Sequence, residues 1–123
     1  MNSKDFKLFL ITTKERYKSI GYIVCPAFNN EKVHFNHHGM WHLISKGNVP
    51  RPKDEVIERF SLLFMSYKLL GNIRYVDYEE KRIEGTSCAY FWTIKTFAGG
   101  QKVKIILRRI NNGPIHFFSI MSE

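Results

Sequence analysis

The spacing of apolar residues changes character once along this 123-residue chain, close to Ile73. Upstream they recur at helical intervals; downstream they alternate with polar residues. A period near 3.6 buries one stripe of a helix, and a period of two buries one face of a strand. Helices first and strands afterwards define an α+β chain, in which N-terminal helices cover one side of an antiparallel sheet. The expected architecture is one domain over residues 1–123, with an N-terminal helix at 1–21, a helical part at 30–72 and a four-stranded antiparallel β-sheet at 73–121. No internal repeat, low-complexity stretch or Pro/Gly/Ser-rich linker argues for a second domain.

In the first helix Phe6, Phe9, Leu10, Thr13, Tyr17 and Ile20 share a face, Ser3 and Asp5 suit its start, and Gly21 suits its stop. Lys4, Lys7, Lys14, Arg16 and Lys18 occupy the other side, the ordinary pattern of a solvated surface. Gly21 to Cys25 is a brief apolar run closed by Pro26. Asn36 can cap a second helix with Met40, Leu43 and Ile44 inward and Gly47 at its end. A third, Lys53 to Leu70, carries Val56, Phe60, Leu63, Phe64 and Tyr67 on one stripe, with Asp54 and Glu55 at its positive end. Strands are expected at Ile73 to Glu79, Cys88 to Thr96, Lys102 to Ile110 and Ile115 to Met121, separated by turns that include Gly99-Gly100 and Asn112-Gly113. Trp41 and Trp92 are assigned to the core, whereas Tyr75, Tyr78 and Tyr90 are candidates for exposed stacking.

Nineteen Lys and Arg against eleven Asp and Glu leave a net charge of +8, which favours a polyanionic partner. No apolar run approaches the roughly 18 residues that cross a bilayer, and Met1 to Phe6 lacks the apolar segment of a secretion signal. A soluble, cytoplasmic protein with no membrane partner is expected. Cys25 and Cys88 stand far apart with no CxxC, so no disulfide framework is expected.

The last hairpin can be taken further. With Asn112-Gly113 at its tip, Arg109 faces His116, Leu107 faces Phe118 and Ile105 faces Ile120. Arg109 and His116 then share one end of an apolar face, with Lys104, Arg108 and Ser119 on the reverse; a bulge would exchange the faces.

Four of the five histidines, His34, His37, His38 and His42, fall within nine residues. His38 and His42 are four apart and share one helical face. Three readings follow. Two His at that spacing are half a metal site, but Gly39 stands where a zinc protease needs Glu, and no Cys is near, so no metal or other cofactor is expected. The histidines can also be purely structural. The third reading is acid–base cleavage of RNA, which needs a base for the 2′-hydroxyl, an acid for the leaving 5′-oxygen, and cations for the phosphate. Histidine titrates near working pH, and arginine grips phosphate through two parallel hydrogen bonds. The chain supplies both types, with Lys104 and Arg108 as phosphate binders. Arg51, Lys53 and Arg59 either extend an RNA-binding surface or remain in water. The competing classes are a non-catalytic nucleic-acid-binding regulator and a protein interaction module.

The run from Val33 to Leu43, with the closing run from Lys102 to Met121, is similar to the phage- and plasmid-associated branch of the barnase, EndoU, colicin E5/D and RelE-like fold of small RNases. The resemblance covers roughly residues 30 to 121. It implies a metal-independent endoribonuclease acting on tRNA or mRNA, of the toxin type held in check by a cognate inhibitor. It makes His38, His42, His116 and Ser119 candidate active-site residues, with Arg109 stabilising phosphate charge. Families of this fold exchange catalytic residues freely, so the assignment of base and acid between His38 and His116 stays open. The first helix lies outside the matched part and is either a family-specific addition or an inhibitor-binding element.

Overall fold

Asn2 opens the first helix: its side-chain oxygen accepts from the Asp5 amide at 2.8 Å, satisfying a donor that the helix itself leaves without a partner. In the computed structural model, which describes residues 1–123, this helix, α1, spans Ser3–Ile20 and stops at Gly21, whose φ of 69° suits a residue without Cβ. A short hairpin follows, β1 (Tyr22–Cys25) and β2 (Glu31–His34), bridged by a 3₁₀ turn at Pro26–Phe28. Asn36 then caps α2 (His37–Ile44), its Oδ1 accepting from the Gly39 amide at 3.1 Å. A two-stranded ribbon, β3 (Ser45–Lys46) and β4 (Val49–Pro50), leads to α3 (Lys53–Ser66) and a 3₁₀ segment at Tyr67–Asn72. The chain closes as a meander of β5 (Tyr78–Glu84), β6 (Ser87–Ala98), β7 (Gln101–Ile110) and β8 (Ile115–Ser122).

The α+β class is as expected, but the sheet is larger and mixed. Its order is β1-β2-β8-β7-β6-β5. The four expected strands are joined by the β1–β2 hairpin, which docks through a parallel pairing of Val33 with Ile115 and His34 with His116. All other pairings in this sheet are antiparallel. The strand expected at Ile73 to Glu79 lies at Tyr78–Glu84 instead. It is an edge strand, paired on one side only and largely exposed, so its charged residues cost it little. The third helix also ends early, at Ser66, and continues as a 3₁₀ segment.

The core lies between one sheet face and helices α1 and α3. Tyr17, Val56, Phe60 and Leu63 meet Ile94, Ile105, Leu107, Phe117 and Ile120, all nearly inaccessible to water. Each such side chain contributes about 1.5–3 kcal/mol of gross burial. Trp92 joins this core, but Trp41 is 46% exposed, contrary to expectation. Between Gly99 and Gly100, with φ of 58° and 80°, the β6–β7 hairpin turns in two residues, as a mirror-image turn requires. No helix is long and apolar enough to cross a membrane. Both cysteines are free thiols.

Candidate active site

Strand β8 carries one more residue than the part of β7 it faces. Ile106 pairs with Ser119 but Leu107 pairs with Phe117, so Phe118 bulges out without a partner. Between the bulge and the turn the register is therefore displaced by one, and His116 faces Arg108 rather than Arg109. Leu107 and Phe117 point into the core, while Arg108, His116 and Phe118 stand on the opposite face. Arg109, on the same side of β7 as Leu107, forms an ion pair with Glu31 and donates from Nε to the Gly113 carbonyl at 2.8 Å. The expected Arg109–His116 pairing is thus corrected: the bulge puts the neighbouring arginine at the histidine.

His116 is only 6% exposed and both ring nitrogens are engaged. Arg108 Nε lies 3.1 Å from His116 Nε2, and a guanidinium only donates, so Nε2 is the acceptor. The ring proton therefore sits on Nδ1, which donates to the Phe117 carbonyl at 3.2 Å. Burial pushes the His116 pKa down to about 4, with Arg108, His38 and His42 adding to the effect and the bond to Phe117 opposing it. At neutral pH the ring is an uncharged clamp on Arg108. Burial also lowers the Arg108 pKa, but a guanidinium remains charged across any physiological pH.

Helix α2 continues beside β8 where β2 leaves the sheet after His34. Gly39 makes that approach possible: a Cβ there would come to 2.5 Å from Phe117 Cδ2 and 2.6 Å from both the Phe117 carbonyl and the Tyr17 hydroxyl. Tyr17 in turn donates to the Asn36 carbonyl at 2.7 Å, tying the start of α2 to α1. The close contact sets the helix so that its two i, i+4 histidines flank the polar face of β8. The His38 ring centroid is 6.4 Å from that of His116, and the His42 ring is 4.2 Å from that of Phe118. His42 is pushed below the usual histidine pKa, first by burial and then by Arg108, Arg51, His38 and Arg59.

A chain of polar contacts braces this arrangement from α3. Arg51 Nε donates to the His42 carbonyl at 2.8 Å, and Arg51 Nη1 meets Glu55 Oε1 at 2.7 Å. Arg59 Nε reaches the same carboxylate oxygen at 3.3 Å, and its Nη1 donates to Ser119 Oγ at 3.3 Å and the Ile120 carbonyl at 2.8 Å. Lys46, Arg51, Glu55, Arg59, Ser119 and Met121 line an open cleft of about 700 Å³ beside β8.

The structure therefore brings together His38, His42, His116, Arg108 and, through Arg59, Ser119. Arg51 is a brace for α2, with its guanidinium committed to His42 and Glu55. Lys104 shares a face with Arg108 but stands four residues along β7, roughly 13 Å away at strand rise. His37 is exposed, and His34 is half-buried against Tyr22, with ring centroids 6.0 Å apart. No group of three or more His, Cys, Asp or Glu side chains is arranged to hold a metal ion. Sequence reasoning missed the Glu55 anchor and the Phe118 platform. Glu55 was legible only as a helix-start acid, and Phe118 was assigned to the apolar face that the bulge removes it from.

No protein-family model, curated protein or solved structure matches this chain.

Proposed function

We propose that the protein is a metal-independent endoribonuclease of the barnase, EndoU, colicin E5/D and RelE-like fold, which cleaves RNA through the strand's own 2′-hydroxyl. One observation carries the reading: two histidines on one helix face lie against His116 and Phe118, the two rings that Arg108 touches, and the neutral, buried His116 holds that arginine in place. His42, kept uncharged by burial and surrounding cations, takes the 2′-hydroxyl proton. The 2′-oxygen bonds to phosphorus, the bond from phosphorus to the 5′-oxygen breaks, and His38 gives its proton to that leaving oxygen. The products are a 2′,3′-cyclic phosphate and a free 5′-hydroxyl. Arg108 offers its remaining donors to the phosphate oxygens as charge develops, and His116 fixes the direction of that guanidinium. His116 is therefore a positioning residue. Ser119 steadies Arg59 at the cleft wall, where Arg59 adds positive potential for the strand beyond the cleaved bond.

The net charge of +8 supports a long polyanionic substrate, with tRNA or mRNA the class proposed. The test is incubation with total RNA in excess EDTA, comparing wild type with His38→Ala, His42→Ala and Arg108→Ala and assaying cyclic-phosphate ends. Cleavage by wild type that these variants lose is the expected result. Intact RNA in every sample, with RNA still bound, would replace this reading by a non-catalytic binding module.

A further inference from the structure

Neither the core nor the proposed chemistry accounts for Trp41. A tryptophan that served packing alone would be sealed from water, since its ring is among the largest apolar surfaces a chain can bury, yet this one is 46% exposed. The indole is nevertheless fixed. Its Nε1–H donates to the Gly47 carbonyl at 3.3 Å, across the turn between β3 and β4. The Trp41 carbonyl is held as well, accepting from both the amide and the hydroxyl of Ser45, the latter at 3.1 Å. A bond from an indole N–H lies in the plane of the ring, so it orients the ring without covering either face.

The surroundings of that ring are cationic. Trp41 and His38 are three apart on α2, so their Cβ atoms lie about 5–6 Å from each other. His42 turns toward Phe118, which leaves Trp41 on the solvent side of the candidate centre, next to His38. Lys46, beside Gly47, lines the cleft of about 700 Å³ with Arg51 and Arg59, and Glu55, the one acid in that lining, is committed to both arginines. From Lys32 to Lys53 the chain has no Asp or Glu. Tyr22, Phe91 and Phe118 each lie under a lysine or arginine; Trp41 has neither a cation nor a second ring stacked on it.

A rigid, open aromatic face beside a cationic groove suits an unpaired nucleic-acid strand, because every base has a π face and the phosphates follow the cations. We propose that the Trp41 indole is a stacking platform for one unpaired RNA base at the His38 end of the candidate centre. The platform rests on the ribonuclease reading for its place in the substrate. With His38 serving the leaving oxygen, the stacked base belongs to the leaving nucleotide, and the strand beyond it follows the cleft toward Arg59. An indole already held by Gly47 loses little freedom when a base covers it. Stacking accepts any of the four bases, so Trp41 adds affinity for unpaired strand and not for a particular sequence.

The platform can be tested without cleavage. The only other tryptophan, Trp92, is buried, so tryptophan emission reports a base on Trp41 directly. The whole protein would be titrated with 2′-O-methyl hexauridylate, which lacks the attacking hydroxyl, and with an abasic oligomer of the same phosphate count. Hexauridylate should quench the emission and the abasic oligomer should not; Trp41→Phe, which emits from Trp92 alone, should show no quenching. By fluorescence anisotropy with labelled oligomers, Trp41→Leu should bind hexauridylate at least about fivefold more weakly than wild type, the lower end for one base stack, and Trp41→Phe should stay within about twofold. All three proteins should bind the abasic oligomer alike. A packing role alone predicts equal affinities for the two variants, since both lose the bond to Gly47. Emission that hexauridylate leaves unquenched overturns the platform with no variant needed, as do quenching that persists in Trp41→Phe and equal weakening of the Phe and Leu variants. The two readings fail separately: cleavage of total RNA by a protein that hexauridylate leaves unquenched keeps the ribonuclease and strikes the platform, and quenching without cleavage keeps the platform on a binding module.

Discussion

Replacing His116 with Gln should flatten the acid limb of the protein's stability curve. Burial holds the native His116 pKa at about 4, whereas an unfolded chain titrates near 6.5. Between those values the unfolded state binds more protons than the native state, so stability falls as pH falls. The contribution is fully present above 6.5 and is lost as pH drops through 4. A shift of about 2.5 units corresponds to about 3 kcal/mol, little of which solvent screens at a residue 6% exposed. The groups facing the ring are His38 and His42 from α2, Arg108 from β7 and His34 from β2, and all of them remain in the variant. Carboxylate titrations are common to both proteins and cancel in the difference. Gln keeps an acceptor for the Arg108 Nε, so the native contact is altered rather than removed.

The assay is urea unfolding at half-unit steps from pH 4 to 7.5, with the difference between wild type and variant plotted against pH. The variant should lose about 3 kcal/mol less than wild type across that range, with nearly all the divergence below pH 6.5. Parallel curves, separated by the same amount at pH 4 and pH 7, would show that His116 titrates as a solvated imidazole. The neutral clamp on Arg108 would then be wrong, and with it the positioning role assigned to His116.

Four further outcomes are expected. Arg108→Ala should lower the rate of RNA cleavage by about 10²–10³-fold, the usual cost of one charge-stabilising donor, whereas Arg109→Ala should leave it within a few-fold and cost only the Glu31 and Gly113 contacts, as single-turnover kinetics would show. Gly39→Ala should destabilise the fold by about 1–3 kcal/mol in urea despite alanine's better helix propensity, because the new methyl meets backbone and a core ring. Tyr17→Phe should cost about 1 kcal/mol by removing one of the two bonds the Asn36 carbonyl accepts, the Met40 amide keeping the other, measured the same way. With His42 as the base, its lowered pKa carries the deprotonated form to more acid pH, so the acid limb of kcat/KM should break below 6.5, and a break at or above 6.5 would refute His42 as the base.

The helices were legible because each carries its own signals: a stripe of apolar residues, Asn36 at a cap, Asp54 and Glu55 in a first turn. The β6, β7 and β8 strands were legible for the same local reason, as alternating runs between two Gly-containing turns. What escaped were the elements that depend on distant partners. Strand β2 is four residues long, and its parallel partner β8 lies some eighty residues further along the chain, beyond anything periodicity can report. Strand β5 exposes most of its residues, so no hydrophobic period marks where it begins. Its true position, shifted toward the charged run, is what carries Glu80 and Arg82 onto the face that holds Arg108.

The same distinction decides the site. Clustering drew attention to His38 and His42, and their spacing sufficed to put them on one face of α2. The identity of their arginine was beyond the reach of pairing rules, because those rules assume an unbroken ladder. In β8 the run His116-Phe117-Phe118-Ser119-Ile120 must put Phe117 and Ile120 into the core, and they are three apart. A regular strand cannot send two residues at odd spacing to one face. One residue has to be left over, and Phe118 is the one that is. That local surplus turns β7 by one position against β8, brings Arg108 to His116, releases Arg109 to Glu31, and sets an aromatic ring beneath His42. The bulge is thus the step at which a packing requirement becomes the layout of the candidate centre. Deleting Phe118 would close the ladder with Leu107 still opposite Phe117 and Arg108 still opposite His116, so the variant should fold, keep the arginine–histidine pair and lose only the ring beneath His42.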